Sequence, residues 1–294
     1  MRPLVQLLAQ SSRLPRPNHP RWAHSTLRLV SDIPDAVFHV DGDRLVPTVL
    51  ARGPWSPDAQ HGGGPSALLA RAVEACDPGP ANFVARITME LLRPVPLVPV
   101  EVTARTTRPG KKVQFIEASM VADGVQVARA FALKVRTEEL GLPRVEAEPT
   151  MAGPDTAKPF VLDAPLSRGP MGIGFWSVMD VRQVRGSWTE PGPAAVWFRL
   201  NVPIVAGEEP SPLQRVAAAA DFGNGISSAL ERGAYLFINP DLTIYLHRSA
   251  VGEWIGLDAH TAAEPSGVGM AESVLHDERG RIGSSTQALL VDRL

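Results

Sequence analysis

Cysteine is almost absent: Cys76 is the only one in 294 residues. No intrachain disulfide can form, and a metal site built on cysteines lacks its ligands. Such usage fits a reducing compartment, and a cytoplasmic protein is the expectation. An excess of charge of one sign is missing too, since 29 Lys+Arg stand against 31 Asp+Glu for a net charge of −2. That balance argues against a dedicated partner of nucleic acid or of an acidic membrane surface. Long apolar runs are broken by Pro, Arg or Gly well before the roughly 18 to 20 residues that a membrane span requires, so no spanning helix is expected. Familiar catalytic signatures are missing as well. The glycines of HGGGPSA (61–67) are followed by no Lys-Ser/Thr and preceded by no strand, so they form neither a P-loop nor a dinucleotide fingerprint. No G-x-S-x-G elbow occurs, and the histidines at 19, 24, 39, 61, 247, 260 and 276 show no H-E-x-x-H spacing. No metal and no organic cofactor is expected.

What is present is a core-forming chain, 44% hydrophobic, long enough for one large domain or two of about 130 to 150 residues. Its first 30 residues carry Arg2, Arg13, Arg16, Arg21 and Arg28 and no acid, in the manner of a transit peptide. Pro15, Pro17 and Pro20 interrupt the amphipathic helix such a signal needs, so a disordered leader or a mis-set start is the preferred reading. A second stretch, residues 140–168, holds Pro143, Pro149, Pro154, Pro159 and Pro165 and reads as a linker between two halves.

Those halves repeat. Each has a helix, predicted over HGGGPSALLARAVEAC (61–76) and within PSPLQRVAAAADFGNGISSALE (210–231), followed by an antiparallel meander of alternating segments. An offset of 155 places Arg93 on Arg248, Glu117 on Glu272 and Asp123 on Glu278. The second helix has clear start signals: Ser211 as cap, Pro212 at the first position, and Gln214 completing a capping box. The fold class is therefore α+β, with helices packed on a curved sheet.

Asp221 is placed oddly, directly after the apolar run Val216–Ala220 and inside the predicted helix. A buried carboxylate there is either a structural hydrogen-bond acceptor or a general base. Gly223 and Gly225 lie in the same pattern, and each costs on the order of 1 kcal/mol relative to Ala unless something approaches closely or the helix ends early. Asn239, ahead of the strand LTIYLHR, and Gln287, within the last strand, are amides where apolar residues would fill inward positions. Trp176, Trp188, Trp197 and Trp254 read as sheet or interface core.

The blocks AAADFGNG, FINPDLTIYLHR, EWIGLDAHT, GVGMAESVLHDERGRIG and SSTQALL resemble the C-terminal half of the type II acyl-CoA thioesterase family. QHGGGPSALLARAVE and MELLRPVPLVPVEVTARTTRPGKKVQF resemble its first half. The resemblance implies a double hotdog, two helices each wrapped by one continuous curved antiparallel sheet. Together with the leader and linker read from composition, the expected organisation is a leader at 1–30, an N-terminal hotdog at 31–139, a Pro-rich linker at 140–168 and a C-terminal hotdog at 169–294. It also implies an acyl-CoA substrate and further association of double hotdogs into homo-oligomers.

Carried over by motif, Asp221, Asn239 and Gln287 would hold the hydrolytic water, with Asp221 as general base. At the position of Asn239 the best-known members carry Thr. By resemblance to hotdog proteins generally, Gly62, Gly63 and Gly64 could offer a backbone donor to the oxyanion, and His61 reads as structural or pocket-lining. Arg108, Lys111 and Lys112 could meet the phosphates of coenzyme A or form an ordinary solvated turn. The rival readings are a hotdog protein that binds acyl thioesters without cleaving them and a hotdog hydratase or dehydratase. The latter wants an Asp/His pair, and no His stands at short helical spacing from Asp221. Deleting residues 1–30 is expected to leave thermal stability and turnover unchanged; a large loss of either would assign the leader a structural role.

Overall fold

A computed structural model of the chain describes residues 33–77, 79, 81–143, 145, 150–160 and 172–294. The leader expected over 1–30 lies outside the described residues. In chain order the elements of the first half are β1 (Phe38–Asp41), β2 (Arg44–Pro47), α1 (Gly63–Ala75), β3 (Phe83–Leu91), β4 (Val100–Arg108), β5 (Val113–Ala122) and β6 (Val125–Val135). Those of the second are β7 (Lys158–Phe160), β8 (Met179–Arg185), β9 (Ala194–Leu200), α2 (Pro212–Ala220), α3 (Gly223–Ile226), β10 (Tyr235–Ile238), β11 (Asp241–Leu246), β12 (Ile255–Ala263), β13 (Val268–Asp277) and β14 (Gly280–Arg293). The alternating segments form strands, as their period requires: in β5 the exposure alternates residue by residue along its length. Asp123 and Gly124, with φ of 47° and 76°, form the tight hairpin between β5 and β6 for which such positive φ values are needed.

The strands make a single sheet in the order β1-β2-β4-β5-β6-β3-β11-β14-β13-β12-β9-β8-β7, with β10 pairing to β14. The sequence repeat is the symmetry of this sheet. An offset of 155 carries Val100–Arg108 onto Ile255–Ala263 and Val113–Ala122 onto Val268–Asp277, bound for bound. Outward from the centre the halves read β3-β6-β5-β4 and β11-β14-β13-β12. At the centre β3 pairs antiparallel with β11, and Thr88 meets its own equivalent, Thr243, with their hydroxyl oxygens 3.2 Å apart. A pseudo-twofold axis passes between these two threonines. Each half thereby covers an edge that the other would leave open.

The helices lie against this sheet and against each other. Ser211 Oγ accepts from the Gln214 N–H at 3.1 Å and Pro212 occupies the first helical turn, so α2 begins where its sequence signals place it. Ala217–Ala220 are at most 1% exposed, and a Cβ on Gly63 would stand 2.8 Å from the Ala218 carbonyl oxygen. Only small residues allow the two backbones this approach. At the far end of α1, the buried Lys134 Nζ donates to the carbonyls of Glu74 (3.2 Å) and Cys76 (2.6 Å). A cation at the negative end of the helix satisfies orphan acceptors there, although burial pulls its pKa below the ordinary lysine value.

One expectation is corrected. Asp221 and Gly223 do not lie within one long helix: α2 ends at Ala220, and α3 is a separate single turn. At Gly223 a Cβ would stand 2.9 Å from both Gln287 Oε1 and Ser273 Oγ, so the chain is pressed onto β13 and β14 where the helix breaks. Gly225 meets nothing within 4 Å. The described part of the expected linker, 140–168, makes contacts of its own. Its β7 pairs with β8, and the Trp197 indole donates to the Ala152 carbonyl at 2.8 Å, which ties the segment to the second half. Among the described residues no helix is long and apolar enough to cross a membrane.

The seam between β11 and β14 depends on Gly283, where an added Cβ would fall on the Tyr245 carbonyl oxygen. Gly283→Ala is expected to lower unfolding free energy by roughly 3 kcal/mol, measured by urea denaturation; a loss under about 0.5 kcal/mol would show that the seam yields.

Candidate active site

Asp221 caps the C-terminal end of α2 and projects its carboxylate onto the first turn of α1. A Cβ on Gly62 would stand 2.8 Å from each carboxylate oxygen, so only glycine at this turn admits the acid. The residue is 6% exposed. Burial by itself drives the Asp221 pKa up, but the hydrogen bond and charge of His61, a hydrogen bond from Asn239 and the Gly63 N–H outweigh it. The carboxyl therefore lies below the usual carboxylate range and is ionised at neutral pH. The positive end of α1 acts in the same direction.

The geometry of these contacts is close. Asn239, in the turn between β10 and β11, donates from Nδ2 to Asp221 Oδ1 at 2.9 Å. His61 Nδ1 lies 3.1 Å from Asp221 Oδ2 and 3.1 Å from the Gly63 nitrogen. One ring nitrogen cannot donate to the acid and accept from Gly63 at once. Beside a buried carboxylate the proton belongs on Nδ1, and the Gly63 N–H turns to Asp221. The imidazole is held between Phe175 and Phe222, with centroids 5.0 and 4.6 Å away.

Gln287 stands under this assembly. Its Oε1 accepts from the Asn224 N–H at 3.0 Å, and its Nε2 donates to the Asp221 carbonyl at 3.4 Å. It is 2% exposed and braces the turn between α2 and α3 through the backbone rather than touching the acid's side chain.

Asp221, Asn239, His61 and Gly62 line a cavity of about 360 Å³. Its walls are apolar and aromatic, with Trp55, Trp176, Trp188, Phe222 and Phe237 prominent. Gly63 and Gly64, absent from its lining, are buried in the first turn of α1 against the rings of Phe175 and Phe38. Trp176 and Trp188 are thus cavity walls as well as packing residues. Trp197 is core at 1% exposure, and Trp254 lies under the guanidinium groups of Arg182 and Arg199 at 4.5 and 4.8 Å. Arg108, Lys111 and Lys112 belong to the exposed turn from β4 to β5, and none of them lines the cavity. Arg108 donates to the Val113 carbonyl at 3.3 Å, so the solvated-turn reading fits it. The arginines that do line the cavity are Arg93 and Arg232, both in loop segments; the repeat singled out Arg93 as the equivalent of Arg248 but gave it no place at the site. Among the described residues no group of His, Cys, Asp and Glu is arranged to hold a metal ion.

Two helices back to back inside one duplicated antiparallel sheet define a double hotdog protein. A family profile described as the acyl-CoA thioesterase N-terminal domain matches residues 51–135, and one described as the C-terminal domain matches 148–291. The chain belongs to the acyl-CoA thioesterase family. Solved structures with the same fold include the acyl-CoA thioesterase II TesB2 from Mycobacterium marinum, at 18% identity and TM-score 0.60, covering 87% of this chain and 95% of that one. A conserved hot dog fold protein of unknown function from Alicyclobacillus acidocaldarius matches at 18% identity and TM-score 0.67, covering 88% and 97%. No curated protein sequence matches the chain.

The lowered pKa of Asp221 has a stability consequence with a definite sign. A carboxyl depressed in the folded state contributes stability that is complete above its unfolded pKa, about 3.9, and is lost as pH falls through the folded value. The stability difference between the wild type and Asp221→Asn is therefore expected to stay constant from pH 5 to 8 and to change only below about pH 4. Urea denaturation across this range checks it, with the Asp221 carboxyl followed by carbon-13 NMR to separate it from the neighbouring imidazole; a carboxyl that titrates above its unfolded value would overturn the assignment.

Proposed function

We propose that the chain hydrolyses acyl-CoA thioesters to free acid and coenzyme A, with Asp221 as general base. The observation that carries this reading is an ionised, buried carboxylate opening onto an apolar cavity in a member of this family. A water bound to Asp221 and oriented by the free amide positions of Asn239 attacks the thioester carbonyl and gives its proton to the carboxylate. A C–O bond forms, the C–S bond breaks, and the proton passes to the departing thiolate. Gln287 acts as a positioning residue that fixes the backbone carrying Asp221. The oxyanion is assigned to the N–H of Gly62, a residue of the cavity wall whose nitrogen has no acceptor among the described residues.

An acid held below the usual range is a weak base, and Brønsted behaviour lowers the benefit it can give. A thioester tolerates this because its carbonyl is already a strong electrophile. The same acid has a histidine beside it: the Asp/His pair missing at local helical spacing is supplied across the fold by His61, 3.1 Å away. That contact favours, as a second reading, addition of water to an unsaturated acyl thioester.

Release of free thiol from a panel of acyl-CoAs separates the readings. Thiol release that falls more than about a hundredfold in a folded Asp221→Asn variant supports hydrolysis by this base. Loss of an enoyl-CoA chromophore without thiol release favours hydration. Binding of acyl-CoA with neither reaction leaves a non-hydrolytic carrier.

A further inference from the structure

The twofold that relates the halves also relates two cavities. A second cavity, of about 300 Å³, lies at the other end of the helix pair, where α1 finishes and α2 begins. Carried by the offset of 155, Leu91, Pro94 and Val95 of the first cavity become Leu246, Ser249 and Ala250, and all three line the second. Around the start of β3, Asn82, Phe83 and Val84 line it at the places of Phe237, Ile238 and Asn239. Six of the ten described residues that line it are therefore equivalents of residues lining the candidate active site.

The helix ends repeat the arrangement. In the first cavity a carboxylate from the end of α2 meets the start of α1. In the second, Glu74 from the last turn of α1 meets the start of α2, where the Ser211 hydroxyl donates to its Oε2 at 2.5 Å. The groups that differ are those assigned to the hydrolytic water and the oxyanion. Val84 stands in place of Asn239, and β6 carries Ala132 in place of Gln287. Where α1 opens on glycine, α2 opens on Pro212, which has no N–H to donate. The substitutions remove the proposed chemistry and leave the walls.

Charge narrows the ligand. Burial pushes the Glu74 carboxyl above the usual carboxylate range in spite of the Ser211 hydrogen bond and the charge of Lys134. Lys134 itself is committed to the carbonyls of Glu74 and Cys76. Among the described residues no lysine or arginine lines this cavity, so an anion finds no partner in it. An uncharged chain that carries carbonyls and amides does: Asn82, Thr137 and Ser249 form an exposed polar rim, and Leu213 and Leu246 a buried apolar wall.

We propose that the second cavity binds an acyl thioester through its acyl chain and amide arm, with the phosphates of coenzyme A outside, so that each chain holds two such ligands. The class of ligand rests on the acyl-CoA reading of the first cavity, but the test does not require turnover.

Equilibrium dialysis of the full chain against S-hexyl-coenzyme A, a thioether that cannot be hydrolysed, is expected to give two bound equivalents per chain. In Ser249→Trp, whose indole would fill the mouth of the second cavity, the number is expected to fall to one. One equivalent on the wild type, or none, overturns the proposal, as does a stoichiometry of two that Ser249→Trp leaves unchanged. A thioether with a diazirine in its alkyl chain locates the sites on the wild type and needs no variant. Crosslinks within 82–84 or 246–250 support the second site, and crosslinks confined to 91–95 and 236–240 overturn it. Two bound equivalents support the proposal even if no thioester is cleaved, and a single one overturns it even if hydrolysis is fast.

Discussion

The site depends on keeping one carboxylate charged where water is scarce. Asp221 caps α2, whose carbonyl end disfavours a negative charge, and burial adds to the penalty. What makes it tolerable is the start of α1, brought so close that only glycine fits at position 62. Three donors then converge from separate parts of the chain: His61 and Gly63 from the first half, Asn239 from the second. The acid therefore reports the packing of the two helices. If they separated by the thickness of one methyl group, the carboxylate would lose the contacts that keep it ionised.

Duplication supplies the frame for that contact. Thr88 and Thr243 pair across the centre of the sheet as equivalents of each other, so the two helices are brought to the same surface by symmetry. Symmetry does not extend to the chemistry. The second half breaks its helix at Ala220, seats Gly223 against Ser273 and Gln287, and turns Asp221 outward from the break. The first half keeps a continuous α1 and presents its glycine turn. One half brings the acid and the other brings the donors that hold it.

Much of the fold could be read from residue order because its causes are local. The alternation in 113–122, the Asp123-Gly124 turn and the Ser211-Pro212 start each act through backbone preferences within a few residues. The offset of 155 was legible for the same reason, since strand bounds and hairpin turns are copied intact. One local reading failed informatively. The helix pattern through Asp221 and Gly223 did not reveal the break, because the break is set by Gln287 and Ser273 pressing on Gly223 from other strands. The basic turn at Arg108, Lys111 and Lys112, for which a solvated turn stood as the other reading, lies off the cavity, while Arg232 and Arg93, the latter marked only by the repeat, line it.

The sequence by itself determined the element types, the duplication and the absence of an intrachain disulfide, and it singled out Asp221, Asn239 and Gln287 as candidates. Tertiary structure alone decided the partnership of His61 with Asp221, the hydrogen bonds of Gln287 to the backbone around the helix break and the place of Arg232 on the cavity wall. The physical reason is range. Propensity, capping and turn geometry act over a few residues, whereas the state of a charge is set by whatever the fold brings within hydrogen-bonding distance. His61 and Asp221 are 160 residues apart in the chain and 3.1 Å apart in space.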